Sequence, residues 1–476
     1  MLPTINIKQE KFTSIKIAPN MKISETLQTI ATRIHQAGGI PVLVGGTVRD
    51  LLWNIESKDI DVEVFELPLE KLLPVLSELG KVSVVGQSFG VIKVRINGEE
   101  FDFSVTENIS ATSFDEAANR RDFTINAMGI DLMTGEVLDP SNGTLDLMEK
   151  TLRVVNPDTF IEDPLRVLRG VQFSARFGLS LPEDTINLFR SLLDELVELP
   201  KERVFGELKK LLLKAEKPSI GLQVAKDVGV IRKLFPELHH LQGVPQDPKW
   251  HPEGDVWNHT LLVVDEAAKL KCGDEFQDLC LMLAALCHDF GKPVTIKRIN
   301  ERWIFHGHAE AGEELAKGFL ERITNEKEVL AKVVALVGKH LHPMTLFHSE
   351  QQQKVGNGAI RRLSMKVDIP LLVKLAEADH FGRGEEVTRG TRFEAGEWLL
   401  KRSEMLNMDN TLKPEPILQG RHLIKLGMEP GETFGNILKQ VYELQLDDRI
   451  TCLEEALEWV KNNLAFPGGQ AVFTGD

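Results

Sequence analysis

The chain reads as α+β: a head with a small mixed β-sheet at the N-terminus, then all-α segments to the C-terminus. Two observations predict this. Short β-like runs crowd residues 40–105, and beyond about Asp158 amphipathic helices follow one another almost without interruption. Taken in order, apolar residues recur at helical spacing from Ile23 to Gly38, and Ile40 to Val44 is a short buried strand ending in Gly45-Gly46. A helix restarts over Val48 to Trp53. Strands are expected at Ile60 to Phe65, Lys81 to Val85, Val91 to Ile96 and Phe101 to Val105, with one helix near Leu67 to Leu79. Phe160 to Phe177, Pro182 to Leu196 and Glu202 to Lys214 are the clearest of the later helices. A second helical unit starts near Trp250 and runs to about Arg402, and a Pro-containing stretch around Lys413 to Pro416 separates a helical tail.

At 476 residues the chain is too long for one core. We expect an extension over 1–22, a head over 23–150, a helical neck and body over 151–240, a further all-α domain over 241–402 and a helical tail over 403–476. The absence of a long apolar run or signal peptide predicts no membrane span and a cytoplasmic location. Cys272, Cys280, Cys287 and Cys452 lack zinc-ligand pairing and are expected to be reduced core residues. A net charge of −15 excludes indiscriminate coating of nucleic acid, so any RNA must be gripped by local basic patches. The clusters Lys201, Arg203, Lys209, Lys210, Lys214 and Arg361, Arg362, Lys366 are candidates, although a solvated charged face explains each equally well.

The most informative stretch is Gly45-Gly46-Thr47-Val48-Arg49-Asp50 followed by Asp59-Ile60-Asp61. Two carboxylates at i and i+2 on a strand project from one face, close enough to share hard divalent cations. Nucleotidyl transfer needs such a pair, one cation at the attacking hydroxyl and one at the triphosphate. The two glycines ahead of a helix let backbone N–H groups approach phosphate oxygens. Asp102 is either a third carboxylate from a neighbouring strand or a solvent-facing residue.

Further blocks follow in order: Arg120-Arg121-Asp122-Phe123-Thr124-Ile125-Asn126-Ala127, Asp139-Pro140 to Gly143, Glu162-Asp163-Pro164-Leu165-Arg166 and Lys201-Glu202-Arg203-Val204. Asp163 and Arg166 are three apart, so on one helix they share a face and offer an acceptor beside a donor fork. Cytosine and adenine match that pair, whereas uracil and guanine present the wrong polarity and leave buried groups unpaired. The bland alternative is an exposed helix ion pair.

Together these blocks resemble the successive motifs of the class II tRNA nucleotidyltransferases and bacterial poly(A) polymerases, over about the first half of the chain. The resemblance implies a polymerase-β-like nucleotidyltransferase head in which Asp59 and Asp61 are catalytic and bind magnesium. It further implies a nucleotide site formed by Gly45, Gly46, Arg49, Arg120, Arg121, Asp122, Asn126, Asp163, Arg166 and Arg169. The partners it implies are tRNA, CTP and ATP. In relatives that add all three terminal nucleotides a longer polar loop precedes the Arg-Arg-Asp block; here only Thr106 to Ser113 stands in its place. The family implication is a product ending in CC, with a separate enzyme adding the final A. A full CCA-adding enzyme, a poly(A) polymerase and an RNA-end phosphohydrolase with an inactive head are the alternatives.

Farther on, His259, the His288-Asp289-Phe290-Gly291-Lys292 run and Asp379 are spaced as in the HD superfamily of metal-dependent phosphohydrolases. The resemblance makes His259, His288, Asp289 and Asp379 ligands of a divalent transition metal or magnesium. Imidazole with carboxylate suits an octahedral ion with positions open to water and phosphate. His306, His308, His340 and His342 either complete a second metal position or sit solvated in polar surroundings.

Overall fold

A computed structural model of the chain describes residues 23–55, 60–85, 91–105, 113–384, 388–406 and 414–463. Asp59 and all but the last residue of the Thr106 to Ser113 stretch lie outside the described residues, as does the 1–22 extension. The structure divides into two compact units. One runs to Leu199 and includes Asp227–Gly229; the other takes Pro200–Lys226 and continues from Val230.

In the first unit, α1 (Glu25–Gln36) opens where Ser24 accepts from the Leu27 N–H, and it buries Leu27, Ile30, Ala31 and Ile34 at helical spacing. β1 (Ile40–Val44) ends in a Gly45–Gly46 turn, and α2 (Gly46–Leu52) starts two residues earlier than the apolar pattern suggested. β2 (Ile60–Phe65), α3 (Leu69–Leu79), β3 (Lys81–Val85), β4 (Val91–Ile96) and β5 (Glu99–Val105) follow. After α4 (Phe114–Asn119) come the short strands β6 (Gly129–Asp131) and β7 (Val137–Leu138), which the sequence reading passed over. The seven strands form one sheet in the order β3-β4-β5-β2-β1-β6-β7. The β2–β5 pair is parallel and the other pairs are antiparallel, so the sheet is mixed as expected.

Register sorts the two faces. Val62 and Val64 pair with Phe103 and Val105, all fully buried; Asp61 pairs with Asp102 on the opposite face. Farther along that polar face Val42, Val44, Phe65 and Ala117 make a small core with Phe114 of α4. The apolar cover therefore stops short of Asp61 and Asp102, which are left only partly buried.

The expected helix over Phe160 to Phe177 is two helices. After α5 (Gly143–Met148), α6 (Asp158–Glu162) stops at Asp163, which takes φ −138° and ψ 86°, and α7 (Leu165–Phe177) starts after Pro164. Proline crowds the residue before it out of the helical region, which forces this joint. α8 (Glu183–Ser191) is likewise shorter than Pro182 to Leu196 and is followed by a single 3₁₀ turn at Glu195–Glu198.

The second unit begins with α9 (Lys201–Lys214), α10 (Pro218–Val228), α11 (Val230–Leu234) and α12 (Pro236–His239). α13 (Val256–Lys269) packs beside α14 (Glu275–Cys287), whose residues from Asp278 onward are all buried. A helix apolar all round belongs at the centre of a bundle. α15 (Lys292–Thr295) leads into a hairpin of β8 (Lys297–Ile299) and β9 (Arg302–Ile304), which corrects the all-α expectation for this region. Asn300 and Glu301 at its tip both have positive φ, as a two-residue hairpin turn requires. α16 (His308–Ile323), α17 (Lys327–Lys339), α18 (His342–Gln351), α19 (Asn357–Ser364) and α20 (Ile369–Phe381) complete the helical bundle of this unit, with the helix Glu394–Met405 against α20. The tail helices Gly420–Lys425, Glu432–Leu446 and Leu453–Asn463 close on a core of their own, including Leu423, Ile437, Val441 and Val460.

One expectation needs correcting. Cys280 and Cys287 are buried core thiols, burial pushing Cys280 up to about 12, but Cys272 is exposed ahead of α14. Several residues of the two basic clusters also make ion pairs or hydrogen bonds within the chain. Arg361 pairs with Asp448, Arg362 with Glu443 and Asp447, Lys209 with Glu275 and Lys210 with Glu207, while Lys201 donates to backbone carbonyls of Glu321 and Thr324.

Candidate functional sites

The first site lies where the Gly45 turn meets the polar face of the sheet. Gly45 has φ +70°, and a Cβ there would stand 3.0 Å from Arg121 Nη1 and 3.9 Å from Asp61 Oδ2. Glycine thus gives the backbone its left-handed turn and leaves the space between a carboxylate and a guanidinium clear. The Asp61 N–H faces Thr47 Oγ1 at 3.4 Å, tying strand to turn. Asp102 stands level with Asp61 on the neighbouring strand and accepts from Lys93 Nζ at 3.0 Å. Asp102 therefore shares a sheet face with Asp61, its carboxylate about one-third exposed and paired with Lys93. Oxygen donors on one open face are what a hard cation such as magnesium takes.

Glu63, two residues beyond Asp61, was missed although it continues the same alternation. It accepts from Arg121 Nη2 at 2.6 Å, while Arg121 Nη1 donates to the Asn126 carbonyl at 3.2 Å. Arg121 is thereby held across the mouth of the Gly45 turn. Arg49 is only 4% exposed. Its Nε and Nη2 donate to Asp50 Oδ1 at 2.9 and 2.6 Å, and its Nη1 donates to Asn126 Oδ1 at 2.7 Å. Asn126 Nδ2 donates in turn to Asp122 Oδ1 at 3.0 Å, and Asp122 Oδ2 pairs with Arg169 Nη2 at 2.8 Å.

Asp163 and Arg166 do not share one helix face as expected: Asp163 occupies the joint and Arg166 the first turn of α7. They remain neighbours, the Arg166 N–H bonding the Asp163 carbonyl at 3.1 Å. Arg166 Nη2 donates to the Arg120 carbonyl at 3.0 Å, while its Nη1 is buried without a hydrogen-bond partner among the described residues. Burial lowers the pKa of this guanidinium, against the raising charges of Asp122 and Asp163. A buried, unspent donor of this kind can be satisfied by a ligand acceptor or by water.

The second site is the histidine and aspartate cluster of the second unit. His259 on α13, His288 and Asp289 at the end of α14, and Asp379 on α20 converge. His259 Nε2 is 3.0 Å from Asp379 Oδ1 and 3.8 Å from Asp289 Oδ2, and His288 Nε2 is 3.2 Å from Asp289 Oδ2 without a hydrogen bond. Gly291 permits the packing behind them, since a Cβ there would meet the His308 carbonyl oxygen at 2.0 Å. His308 and His340 join the cluster, correcting the solvated alternative for these two. His340 is 2% exposed, the two Nε2 atoms stand 3.2 Å apart, and His308 Nε2 is 3.7 Å from Asp289 Oδ1. Exposed His306 lines the mouth, and His342 is not among the lining residues.

Backbone carbonyls fix the imidazoles. His288, His308 and His340 donate Nδ1–H to Ala285, Phe305 and Val337, which turns each Nε2 lone pair inward. His259 is held instead by Glu253, whose Oε1 accepts from both His251 Nδ1 and His259 Nδ1 at 2.8 Å. Burial works to raise the Glu253 carboxyl, yet the two histidine hydrogen bonds hold it at about 2. Burial, with His288 and His308 beside it, pushes His340 down to about 4, so it is a neutral donor at pH 7. Asp289 lies well below the usual range: burial opposes this, but His288 and Lys292 prevail. Lys292 Nζ rests 2.7 Å from Asp289 Oδ2 and 2.8 Å from Gln246 Oε1. The cluster opens on a cavity of about 390 Å³ edged by Trp303, Phe305 and Arg383. Its orphaned His288 Nε2 and mixed nitrogen and oxygen donors fit a divalent metal. Sequence reading missed His251, Glu253 and Gln246; the short His251-Pro252-Glu253 run just ahead of α13 was the available signal.

An open carboxylate face on a mixed sheet, joined in one chain to a buried histidine and aspartate cage, defines a nucleotidyltransferase head with an HD domain. The Poly A polymerase head domain matches residues 42–153, the HD domain residues 256–384, and a domain described as "Probable RNA and SrmB- binding site of polymerase A" residues 178–241. The multifunctional CCA protein of Psychromonas ingrahamii is 39% identical over 327 residues, covering 64% of this chain and 75% of that protein. The chain belongs to the class II tRNA nucleotidyltransferases that carry an HD domain. In fold it is similar to the Bacillus stearothermophilus CCA-adding enzyme in complex with CTP, with a TM-score of 0.62 at 20% identity, over 92% of this chain and 99% of that one. It is also similar to the Thermotoga maritima CCA-adding enzyme complexed with tRNA, with a TM-score of 0.56 at 20% identity, over 92% and 97%. No described helix is long and apolar enough to cross a membrane.

Proposed function

We propose that the chain adds CMP residues from CTP to the 3′ end of tRNA and stops at CC, leaving the final A to a separate enzyme. The observation that carries nucleotidyl transfer is the alignment of Asp61 with Asp102 beside the open Gly45 turn, with Arg121 held across its mouth. Asp59 and Asp61, with Asp102, would hold magnesium, which would supply positive charge to the triphosphate and to the attacking hydroxyl. The 3′-oxygen forms a bond to the α-phosphorus as the bond to pyrophosphate breaks. Arg120 and Arg121 bind the phosphates, and the Gly45–Gly46 turn leaves room for them. Arg166 Nη1 and Asp163 read the base edge, which favours cytosine and adenine over uracil and guanine. Structures of similar fold with CTP, with ATP and with tRNA support these substrate classes. The short stretch between β5 and the Arg-Arg-Asp block supports a stop at CC.

The test is incorporation into tRNA lacking its terminus, with CTP alone, ATP alone and both. Two CMP residues and no AMP are expected under every mixture that contains CTP. Products ending in CCA overturn the stop at CC, long A tracts favour a poly(A) polymerase, and no incorporation overturns the polymerase reading.

A second activity is favoured by the cage around Asp289. His259, His288, Asp289 and Asp379 would hold one divalent ion, and His308 and His340 on the other Asp289 oxygen suit a second. Such ions would withdraw electron density from a phosphoester bound in the cavity, beside Lys292 and Arg383. This is the chemistry of an RNA-end phosphohydrolase. Elemental analysis is expected to find at least one ion per chain, lost on His288→Ala; no stoichiometric metal in the full chain would overturn the reading.

A further inference from the structure

We propose that Glu63 is a positioning residue that acts through Arg121: its carboxylate balances the charge of this guanidinium, so that the site releases pyrophosphate after each transfer instead of holding it. The proposal rests on the nucleotidyl-transfer reading and concerns how that site lets go of its product. Glu63 follows Asp61 by two residues on β2 and lies on the same face, in register with Val42 on β1 and Ser104 on β5. It stands where the open part of that face ends. Val42 and Phe65 beside it belong to the small apolar core, and Glu63 is only 9% exposed, whereas Asp102 is about one-third exposed. A carboxylate is costly at such a place unless it is paired, and the ion pair with Arg121 Nη2 at 2.6 Å offsets that cost.

The pair is made end-on. Arg121 Nη2 donates to Glu63 Oε1, while Arg121 Nε and Glu63 Oε2 are buried without a hydrogen-bond partner among the described residues. A side-on fork would satisfy both atoms. The guanidinium is turned instead toward the glycine turn: its Nη1 donates to the Asn126 carbonyl at 3.2 Å and stands 3.0 Å from where a Cβ of Gly45 would be. Arg121 thus divides its donors between the carboxylate behind it and the space in which phosphate oxygens are expected. A guanidinium without a counter-charge would bind triphosphate and pyrophosphate alike, which lowers KM but delays departure of the leaving group. One negative charge at its rear weakens the grip on both anions.

The experiment is steady-state CMP incorporation by the full chain carrying Glu63→Gln, with pyrophosphate as product inhibitor and thermal unfolding as a check on folding. Glutamine keeps a carbonyl oxygen for Arg121 Nη2 and removes the charge. We expect KM for CTP and the inhibition constant of pyrophosphate each to fall about tenfold, and kcat to fall at least about threefold as release slows. A merely structural ion pair would give the opposite sign, because a loosened Arg121 raises both constants. If Glu63→Gln does not fold, Glu63→Asp decides: it draws the charge back from Arg121 and should lower the pyrophosphate constant at least about threefold. A folded variant whose pyrophosphate constant is unchanged or raised overturns the proposal and leaves nucleotidyl transfer standing. Failure of the wild-type chain to incorporate CMP at all fails the nucleotidyl-transfer reading instead, and with it the role of Glu63.

Discussion

The two sites hold charge in opposite ways. At the head, carboxylates stand on an open sheet face: Asp102 is about one-third exposed and its partner Lys93 about half. In the HD region His259, His288, Asp289 and His340 are all 2% exposed or less, and each imidazole is aimed by a carbonyl or carboxylate behind it. The open face has little to position beyond two strands in register, so a triphosphate can bring its own oxygens and cations to it. The buried cage must be assembled in advance, because taking unpaired imidazole and carboxylate groups out of water is costly. The open face is thus made from regular strands in register, and the cage from side chains that separate helices and their caps bring together.

Breaking the open face should give the largest effect. The double substitution Asp59→Ala, Asp61→Ala is expected to lower CMP incorporation at least about a thousandfold, equivalent to ~4 kcal/mol of transition-state stabilisation. Metal bound in the HD region should not change. A primer-extension assay beside elemental analysis measures both, and retained incorporation would show that the sheet face is not where transfer occurs.

The same contrast governs what could be read from the residues alone. Five strands of the head were placed at their observed bounds, or within two residues of them, because each is a short run between turn signals. The joint at Asp163–Pro164 was overlooked because apolar spacing continues through it, although the proline alone disallows an unbroken helix. Asp61 and Asp102 could be suspected separately, but only strand register sets them level. His288-Asp289 is adjacent in sequence and therefore conspicuous. His308 opens α16 and His340 caps α17; the sequence left both open between a second metal position and a solvated face, and only the fold sets their Nε2 atoms beside each other and that of His308 near Asp289. Glu253 was hidden for the same reason, since its role exists only once α13 has turned His259 toward it.

Glu253 also offers the finer way to sharpen the comparison. In the cage an ion's ligands depend on the groups behind them, whereas on the sheet face they do not, so removing charge one step away should matter at only one site. Glu253→Gln keeps the size of the side chain. It replaces the carboxylate that takes two imidazole N–H groups at 2.8 Å with a neutral amide. His259 then keeps only a neutral acceptor behind its Nδ1, which holds the ring less firmly and makes Nε2 a weaker donor to a metal. Metal affinity of the HD region is expected to fall about 10–100-fold, measured by competition with a chelating indicator, while CMP incorporation stays within about twofold. Unchanged affinity would mean that packing alone holds His259, and an equal loss of CMP incorporation would mean that the two sites do not act separately.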